Sequence, residues 1–354
     1  MQPAYLTLWK SEATKWIEKL LHLGEVIAPV RRPGGDTVFT TVVSAEMVLW
    51  DFSNPLHPPK QFLLPQTEPI VRIRRHGQRH DVEPIYDDRR RFLVNIRSCD
   101  VRGIDYLTSM LQMEPADASY LRRANNFTLI SLACTLPCPL GFCICTDSGP
   151  FLNDRYDIQL TNLGESYLVE VGSEKGRAAV MVASDLFRAA TEAERSERQR
   201  LEAEAKKHFG EETCHFASAM RRISTWRVPE TLWEKMSDWC LECGGCTYIC
   251  PTCYCFSVKD LGRDGSWTRC RIWDSCQYAA FTLEASGHNP RRLRRERMKR
   301  RFFHKVSAQY YKRDSRVGCV GCGRCIKVCF GSANMPAVVS AIRKEKWHER
   351  CIPS

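Results

Sequence analysis

Apolar and polar positions follow two periods along this chain, and the change from one to the other marks its elements. From about Ser11 to Leu23 the spacing is helical and predicts a short amphipathic helix. The alternations in "TVFTTVVSAEMVLW" predict strands instead. Two later segments, "FLVNIRSCD" and "FTLISLACT", each run a buried-looking strand into a cysteine, and loops at strand ends are where mixed α/β domains place their chemistry. The pair "YDIQLTNLG" and "SYLVEVGSEKG" reads as a hairpin. Residues 1–182 are therefore expected to form a mixed α/β domain. From Ser184 to Lys207 the chain turns to Ala, Glu, Arg and Lys with little apolar content, which predicts a solvent-exposed helix within a linker spanning 183–228. "RVPETLWEKMSDW" then predicts a helix begun by Pro229 and Glu230 that delivers the chain to Cys240. Residues 229–354 read as helical between their cysteines, so the expected fold class is α+β: a mixed α/β domain followed by a helical one.

Composition sharpens this picture. At 354 residues and 44% hydrophobic the chain has the length for two or three domains and enough interior for a core. Near the N-terminus Lys10, Glu12, Lys15, Glu18 and Lys19 interrupt every apolar run before it reaches signal-peptide or membrane-span length. A cytoplasmic protein with no membrane span is the expectation. Nineteen cysteines in such a chain point to metal or redox chemistry, because reducing compartments keep structural disulfides rare. They fall in bursts at Cys134–Cys145, Cys240–Cys255 and Cys319–Cys329, and bursts suit metal better than spread-out pairing.

The two later bursts share one spacing. Cys240, Cys243, Cys246 and Cys250 read C-x2-C-x2-C-x3-C, and so do Cys319, Cys322, Cys325 and Cys329. This is the bacterial ferredoxin run, in which three thiolates of a tight loop hold one [4Fe-4S] cubane and the fourth serves the other cluster. The expected ligand sets are Cys240, Cys243, Cys246 and Cys329 for cluster 1, and Cys319, Cys322, Cys325 and Cys250 for cluster 2. Gly244, Gly245, Gly318, Gly321 and Gly323 permit the close backbone approach that aims N–H groups at cluster sulfides. Zinc, the competing metal, takes two well-separated pairs of ligands, and the third cysteine of each loop is surplus to it. Phe330 stands where a proline usually follows the fourth cysteine, without removing a ligand. Each cubane brings about −2, so two of them lower the formal charge of +11 to about +7.

With "CGGCTYICPTCYCFSV", "WDSC", "GHNPR", "HK" at His304 and Lys305, and "GCVGCGRC", the chain resembles the iron–sulfur beta subunits of cytoplasmic sulfhydrogenases, the NADP-linked nickel–iron hydrogenases. It is similar also to the electron-transfer subunit of anaerobic sulfite reductase. The resemblance extends through "RSCD", "LACT", "GFCIC" and "YLVEVGSEKG" over nearly the whole length. It implies a non-catalytic electron-transfer subunit. Such a subunit relays electrons between a partner that binds flavin and NAD(P)H and the small and large subunits of a nickel–iron hydrogenase, or a sulfite reductase subunit. No Gly-rich dinucleotide fingerprint follows a strand, so neither nucleotide nor flavin is expected in this chain. A scaffold with structural clusters is the reading from another functional class.

If the strands before Cys99 and Cys134 are neighbours, their loops would bring Cys99 to the Cys134 group and complete a third cubane. The resemblance favours Cys99, Cys134, Cys143 and Cys145, with Cys138 as the competing ligand; buried packing thiols are the alternative. Cys253, Cys255 and Cys276 also belong to the resembled pattern, lining the cluster surroundings, ligating a further cluster with Cys270 nearby in sequence, or packing as small hydrophobes. Cys214 and Cys351 have no companions. "RRLRRERMKRRFFHK" supplies clustered base, but it lies between the two cysteine runs and reads as neutralising clusters or docking an acidic partner rather than as a nucleic-acid contact. Trp239, Tyr248, Tyr254, Trp267 and Trp273 flank cysteines and read as water shields or ordinary core, while His215, His288 and His304 show no catalytic pattern.

Overall fold

A computed structural model of the chain describes residues 4–209, 214–310 and 316–347. Cys351 lies outside the described residues. In chain order the strands are β1 (Ala4–Trp9), β2 (Glu25–Arg31), β3 (Thr37–Val42), β4 (Thr67–His76), β5 (Arg79–Pro84), β6 (Arg91–Ile96), β7 (Phe127–Leu132), β8 (Ile158–Asn162), β9 (Ser166–Val171), β10 (Phe187–Ala189), β11 (Phe256–Arg263) and β12 (Ser266–Trp273). Eight of them form one sheet in the order β10-β1-β9-β8-β7-β6-β2-β3, and the other four form a second in the order β11-β12-β4-β5.

In the large sheet β2, β6, β7 and β8 run parallel. β6 is buried along its whole length, because helices cover both faces there and a continuous apolar run is what such a strand needs. The amphipathic helix is present as Lys10–Leu21, and it seats Trp16, Ile17 and Leu20 in the core with the Trp16 indole donating to Ala179 O at 2.8 Å. The helix Ser98–Leu111 packs Val101 and Leu107 into a second apolar cluster with Leu93 and Phe127 of the sheet. β8 and β9 pair antiparallel as the expected hairpin.

β6 and β7 are adjacent, so Cys99 and Cys134 emerge side by side just past their C-terminal ends. A bulge between Val94 and Ile96 re-aims the end of β6: Asn95 takes φ 56 and its side-chain amide donates to Leu49 O at 2.8 Å. Bulges of this kind redirect the residues that follow, here Arg97, Ser98 and Cys99.

Two boundaries differ from the expectation. β10 lies inside the stretch read as linker and pairs with β1, so the sheet continues past residue 182; the exposed helix follows as Glu192–Phe209. The C-terminal region is also not purely helical. β11 and β12 form a hairpin there and join β4 of the N-terminal region. Glu68 on β4 binds this sheet together: buried itself, it accepts from buried Arg123 and from buried Arg271 on β12, and Arg271 reaches Asp117 as well. The rest of the C-terminal region packs helices Phe216–Ser224, Glu230–Ser237, Arg294–Val306 and Met335–Lys344 around Met236, Phe302, Val338 and Ile342. Among the described residues no helix is long and apolar enough to cross a membrane.

Candidate metal centre

The two cysteine runs adopt matching backbones. Glu242 and Gly321, at equivalent places in their loops, have φ 53 and 59; Gly244 and Gly323 have φ 72 and 74. Each loop then enters a single helical turn, Gly245–Tyr248 or Arg324–Lys327, that carries its third cysteine. Left-handed residues at these two places turn successive N–H groups inward, the arrangement that receives an anion. Gly321 N–H lies 3.5 Å from Cys319 Sγ, and a Cβ at Gly321 would meet Phe142 O at 2.5 Å. Glycine is needed there for both reasons. Glu242 adopts the same strained region with a side chain, held by ion pairs to Arg294 and Arg297.

The fourth thiol of each run lies within electrostatic reach of the other loop, and Cys325 reaches both groups. Cys329 acts electrostatically on Cys246 and is acted on by Cys240, while Cys250 acts on both Cys319 and Cys322. The first loop lies at the surface with Cys243 exposed, beside Leu241 and Phe330, which are 64% and 86% exposed. The second is interior. Its backbone packs on the N-terminal region, with Phe142 N–H donating to Gly321 O at 2.7 Å and Asn54 donating to Cys322 O at 2.9 Å.

At the ends of β6 and β7 the structure brings Cys99, Cys134, Cys138 and Cys143 into one group. Cys134 feels Cys138, and Cys143 feels Cys134, Cys138 and Cys322. Cys99 feels Cys143 and Cys322. Cys145, the ligand that the resemblance favours, faces Cys214 instead, with its Sγ 3.4 Å from Cys214 N, and packs against the C-terminal helical core as Cys240, Cys319, Cys325 and Cys329 also do. The turn that returns Gly141 N–H to Cys138 O at 2.9 Å is what carries Cys138 toward Cys143. Among the described residues no group of three or more His, Cys, Asp or Glu gathers as around a single metal ion.

Charge decides how these thiols are used. Burial pushes Cys246 and Cys322 up to about 12 and holds Cys99, Cys143 and Cys319 well above the ordinary thiol range. Left alone they would be neutral. Yet Lys60, Arg301 and Lys305 are buried at 2%, 4% and 4% exposure, and among the described residues none forms an ion pair with a carboxylate. An uncompensated buried cation costs several kcal/mol, so this triad requires anions, and thiolates on a metal cluster supply them. Cys250 already responds: the hydrogen bond from Cys253, then Lys305 and Lys60, pull it well below the ordinary value. Burial lowers Lys60 to about 8, whereas for Lys305 the neighbouring sulfurs, Cys250 first and then Cys253, outweigh burial and raise it. Lys60 Nζ donates to Cys253 O at 2.9 Å and lies 4.2 Å from the Trp273 ring centre; Lys305 Nζ donates to Thr252 O at 3.0 Å. The donor set and its countercharge fit iron–sulfur cubanes.

Sequence reasoning reads the run from Arg291 to Lys305 as countercharge for clusters without separating its buried cations from its exposed ones, and it misses Lys60, although the signal for the helix is there. Arg297, Arg301 and Lys305 recur every fourth position beside Met298 and Phe302, which places them on the buried face of their helix. The outward residues of the same helix pair with surface carboxylates instead, Lys299 with Glu230 and Arg295 with Glu234. Arg324, by contrast, is a buried cation that has its carboxylate: it forms a two-point ion pair with Asp100 at 2.6 and 3.0 Å. Of the aromatics, Trp273 is buried against Lys60 and Tyr248, Trp239 is exposed, and Trp267 belongs to the second sheet. Cys270 is buried in β12 opposite Lys259 and Pro69, away from the other thiols.

Residues 239–333 match the model of a 4Fe-4S dicluster domain. Over 342 residues the chain is 30% identical to sulfhydrogenase 2 subunit beta of Pyrococcus furiosus, covering 96% of this chain and 98% of that protein. A solved chain of the F420-reducing [NiFe] hydrogenase complex from Methanosarcina barkeri aligns over 64% of this chain and 93% of its own, at 8% identity and a TM-score of 0.36, a likeness too weak to bear on the fold. The paired loops, the mixed α/β architecture and a relationship that runs nearly end to end agree: the chain belongs to the iron–sulfur beta-subunit family of sulfhydrogenases.

Proposed function

We propose that this chain is the electron-transfer subunit of a nickel–iron hydrogenase complex, holding two [4Fe-4S] clusters on its paired loops and a third at the ends of β6 and β7. The observation that carries the reading is the buried triad of Lys60, Arg301 and Lys305, which has no carboxylate among the described residues and lies beside the paired thiols. Cluster 1 takes Cys240, Cys243, Cys246 and Cys329; cluster 2 takes Cys319, Cys322, Cys325 and Cys250. Cluster 3 takes Cys99, Cys134, Cys138 and Cys143. When bound, such clusters accept and donate single electrons.

The chain's own part is to fix a conducting order and keep water out. Cys322 shares electrostatic reach with Cys250 on one side and with Cys99 and Cys143 on the other, so the second site stands between the third and the first. Lys305 and Arg301 place positive charge where an added electron raises negative charge, which favours the reduced state. Exposed Cys243 marks the face where one redox partner approaches, and the third site serves the other. The partners fitting this role are the hydrogenase subunits that carry nickel and a flavin- and NAD(P)H-binding subunit, in the cytoplasm.

Anaerobic purification of the tagged chain from its native cells tests this reading. The expected result is a nickel-bearing subunit in the same complex, at least about eight irons on this chain and coupled cubane EPR signals on reduction. Fewer irons overturn the relay, and a sirohaem protein in place of the nickel subunit overturns the assignment to hydrogenase. Phe330→Ala provides a separate check on the approach face. Because the side chain is 86% exposed, iron content is expected to stay unchanged and stability to shift by less than about 0.5 kcal/mol, while partner-dependent reduction slows.

A further inference from the structure

Three thiols remain outside the sites assigned so far and face one space. Cys253, Cys255 and Cys276 line a cavity of about 260 Å³ together with His304, Arg301 and Lys305. The hairpin explains how residues so far apart in sequence meet. Phe256 pairs with Trp273, and Asp274 N–H donates to Cys255 O at 3.0 Å, so the two ends of the β11–β12 hairpin hold Cys255 opposite Cys276. Cys253 is returned beside Cys250 by a turn in which its N–H donates to Cys250 O at 3.3 Å. The buried Gln277 amide donates to Cys276 Sγ at 3.5 Å and to Arg297 O at 3.1 Å, which orients that thiol.

The fourth corner of the space is an imidazole. His304 is set edge-on against Tyr310, with ring centres 4.6 Å apart, and among the described residues its ring makes no hydrogen bond. The surrounding charge is again positive and buried: Lys60 and Lys305 flank Cys253 through Cys253 O and Thr252 O, and Arg301 Nε has no hydrogen-bond partner among the described residues. Packing thiols would give such cations nothing to neutralise. Cys270, the nearby alternative, does not line the cavity.

We propose that Cys253, Cys255 and Cys276, with His304 as the fourth ligand, hold a further iron–sulfur cubane. The site deepens the relay reading and rests on it. Three thiols lose their protons as iron binds, the imidazole binds as a neutral donor, and the buried cations balance the resulting charge. Its place beside Cys250 on one side and, through Gln277, beside Cys240 on the other gives the relay a branch reaching both loops.

The test is iron and acid-labile sulfide per chain, with EPR, on the full chain in its anaerobically purified complex. Cys253→Ser, Cys255→Ser and Cys276→Ser are each expected to lose about four irons relative to the parent, and Cys270→Ser none. His304→Ala is expected to keep the cluster but to show the signal of a three-iron centre after mild oxidation, because three thiolates then leave one iron exchangeable. Unchanged iron in Cys255→Ser and Cys276→Ser overturns the proposal, as does recovery of both thiols as a reducible disulfide. Failure here is separate from failure of the relay: a chain with its paired-loop clusters and unaffected variants loses only this site, whereas a parent below about eight irons loses the relay itself.

Discussion

Replacing Arg324 by leucine is expected to cost about 3–5 kcal/mol of stability. Both members of its pair with Asp100 are buried, at 2% and 0% side-chain exposure, and the guanidinium grips the carboxylate at two points while Nε donates to Pro55 O at 2.7 Å. Removing the arginine leaves Asp100 charged and alone in the first turn of the helix Ser98–Leu111, one residue from Cys99. The loss is asymmetric. Arg324→Leu combined with Asp100→Leu is expected to recover much of the stability, since a buried pair and its apolar replacement are nearly equal while a half-pair is not. Anaerobic urea unfolding followed by far-UV circular dichroism reads the difference. A single variant within about 1 kcal/mol of the parent contradicts the account. The same substitution is expected to release iron from the second and third sites together, because Arg324 lies between Cys322 and Cys325 and its partner follows Cys99.

Cys250→Ser is expected to empty the site formed by Cys319, Cys322 and Cys325 and to leave that of Cys240, Cys243 and Cys246 filled. The sequence neighbours of Cys250 are Cys240, Cys243 and Cys246 of the first site, so local ligation predicts the opposite. Electrostatic reach favours the crossing, for Cys250 acts on Cys319 and Cys322. The mirror variant Cys329→Ser is expected to disturb the first site. Iron counts and the loss of spin coupling between the two sites measure both. Electron transfer through the complex is expected to fall by orders of magnitude in either variant, because a missing member breaks the chain of sites.

The spacing of the cysteine runs makes the paired loops legible in the sequence, since two identical spacings have few physical uses. The strand ends before Cys99 and Cys134 are equally visible as continuous apolar runs that stop at a cysteine. The second sheet is hidden. β11 is exposed at every position, so it carries no apolar face from which a period could be read, and its neighbour β4 lies in another region of the sequence. That Cys138 lies beside Cys134 and Cys143 is hidden for a different reason: the turn at Gly141 brings it there, and spacing alone does not describe that turn. Arg301 and Lys305 stand inside a run of base, yet their four-residue spacing beside Phe302 already separates them from the outward-facing charges.

The second sheet also sets a timetable for biosynthesis. Glu68 and Arg271 are 203 positions apart, so β4 and β5 leave the ribosome long before β12 exists to cover their edge. At about 5–20 residues per second that wait is roughly 10–40 s. During it a bare strand edge, rich in arginine along β4, is open to mispairing, and the charge it displays is a natural guard against that. The thiols of the third site are made early too, but Gly321 and Arg324, which close over them, come last. A group of thiols packed between residues from both ends of the chain is therefore complete only once nearly all of the chain has been made.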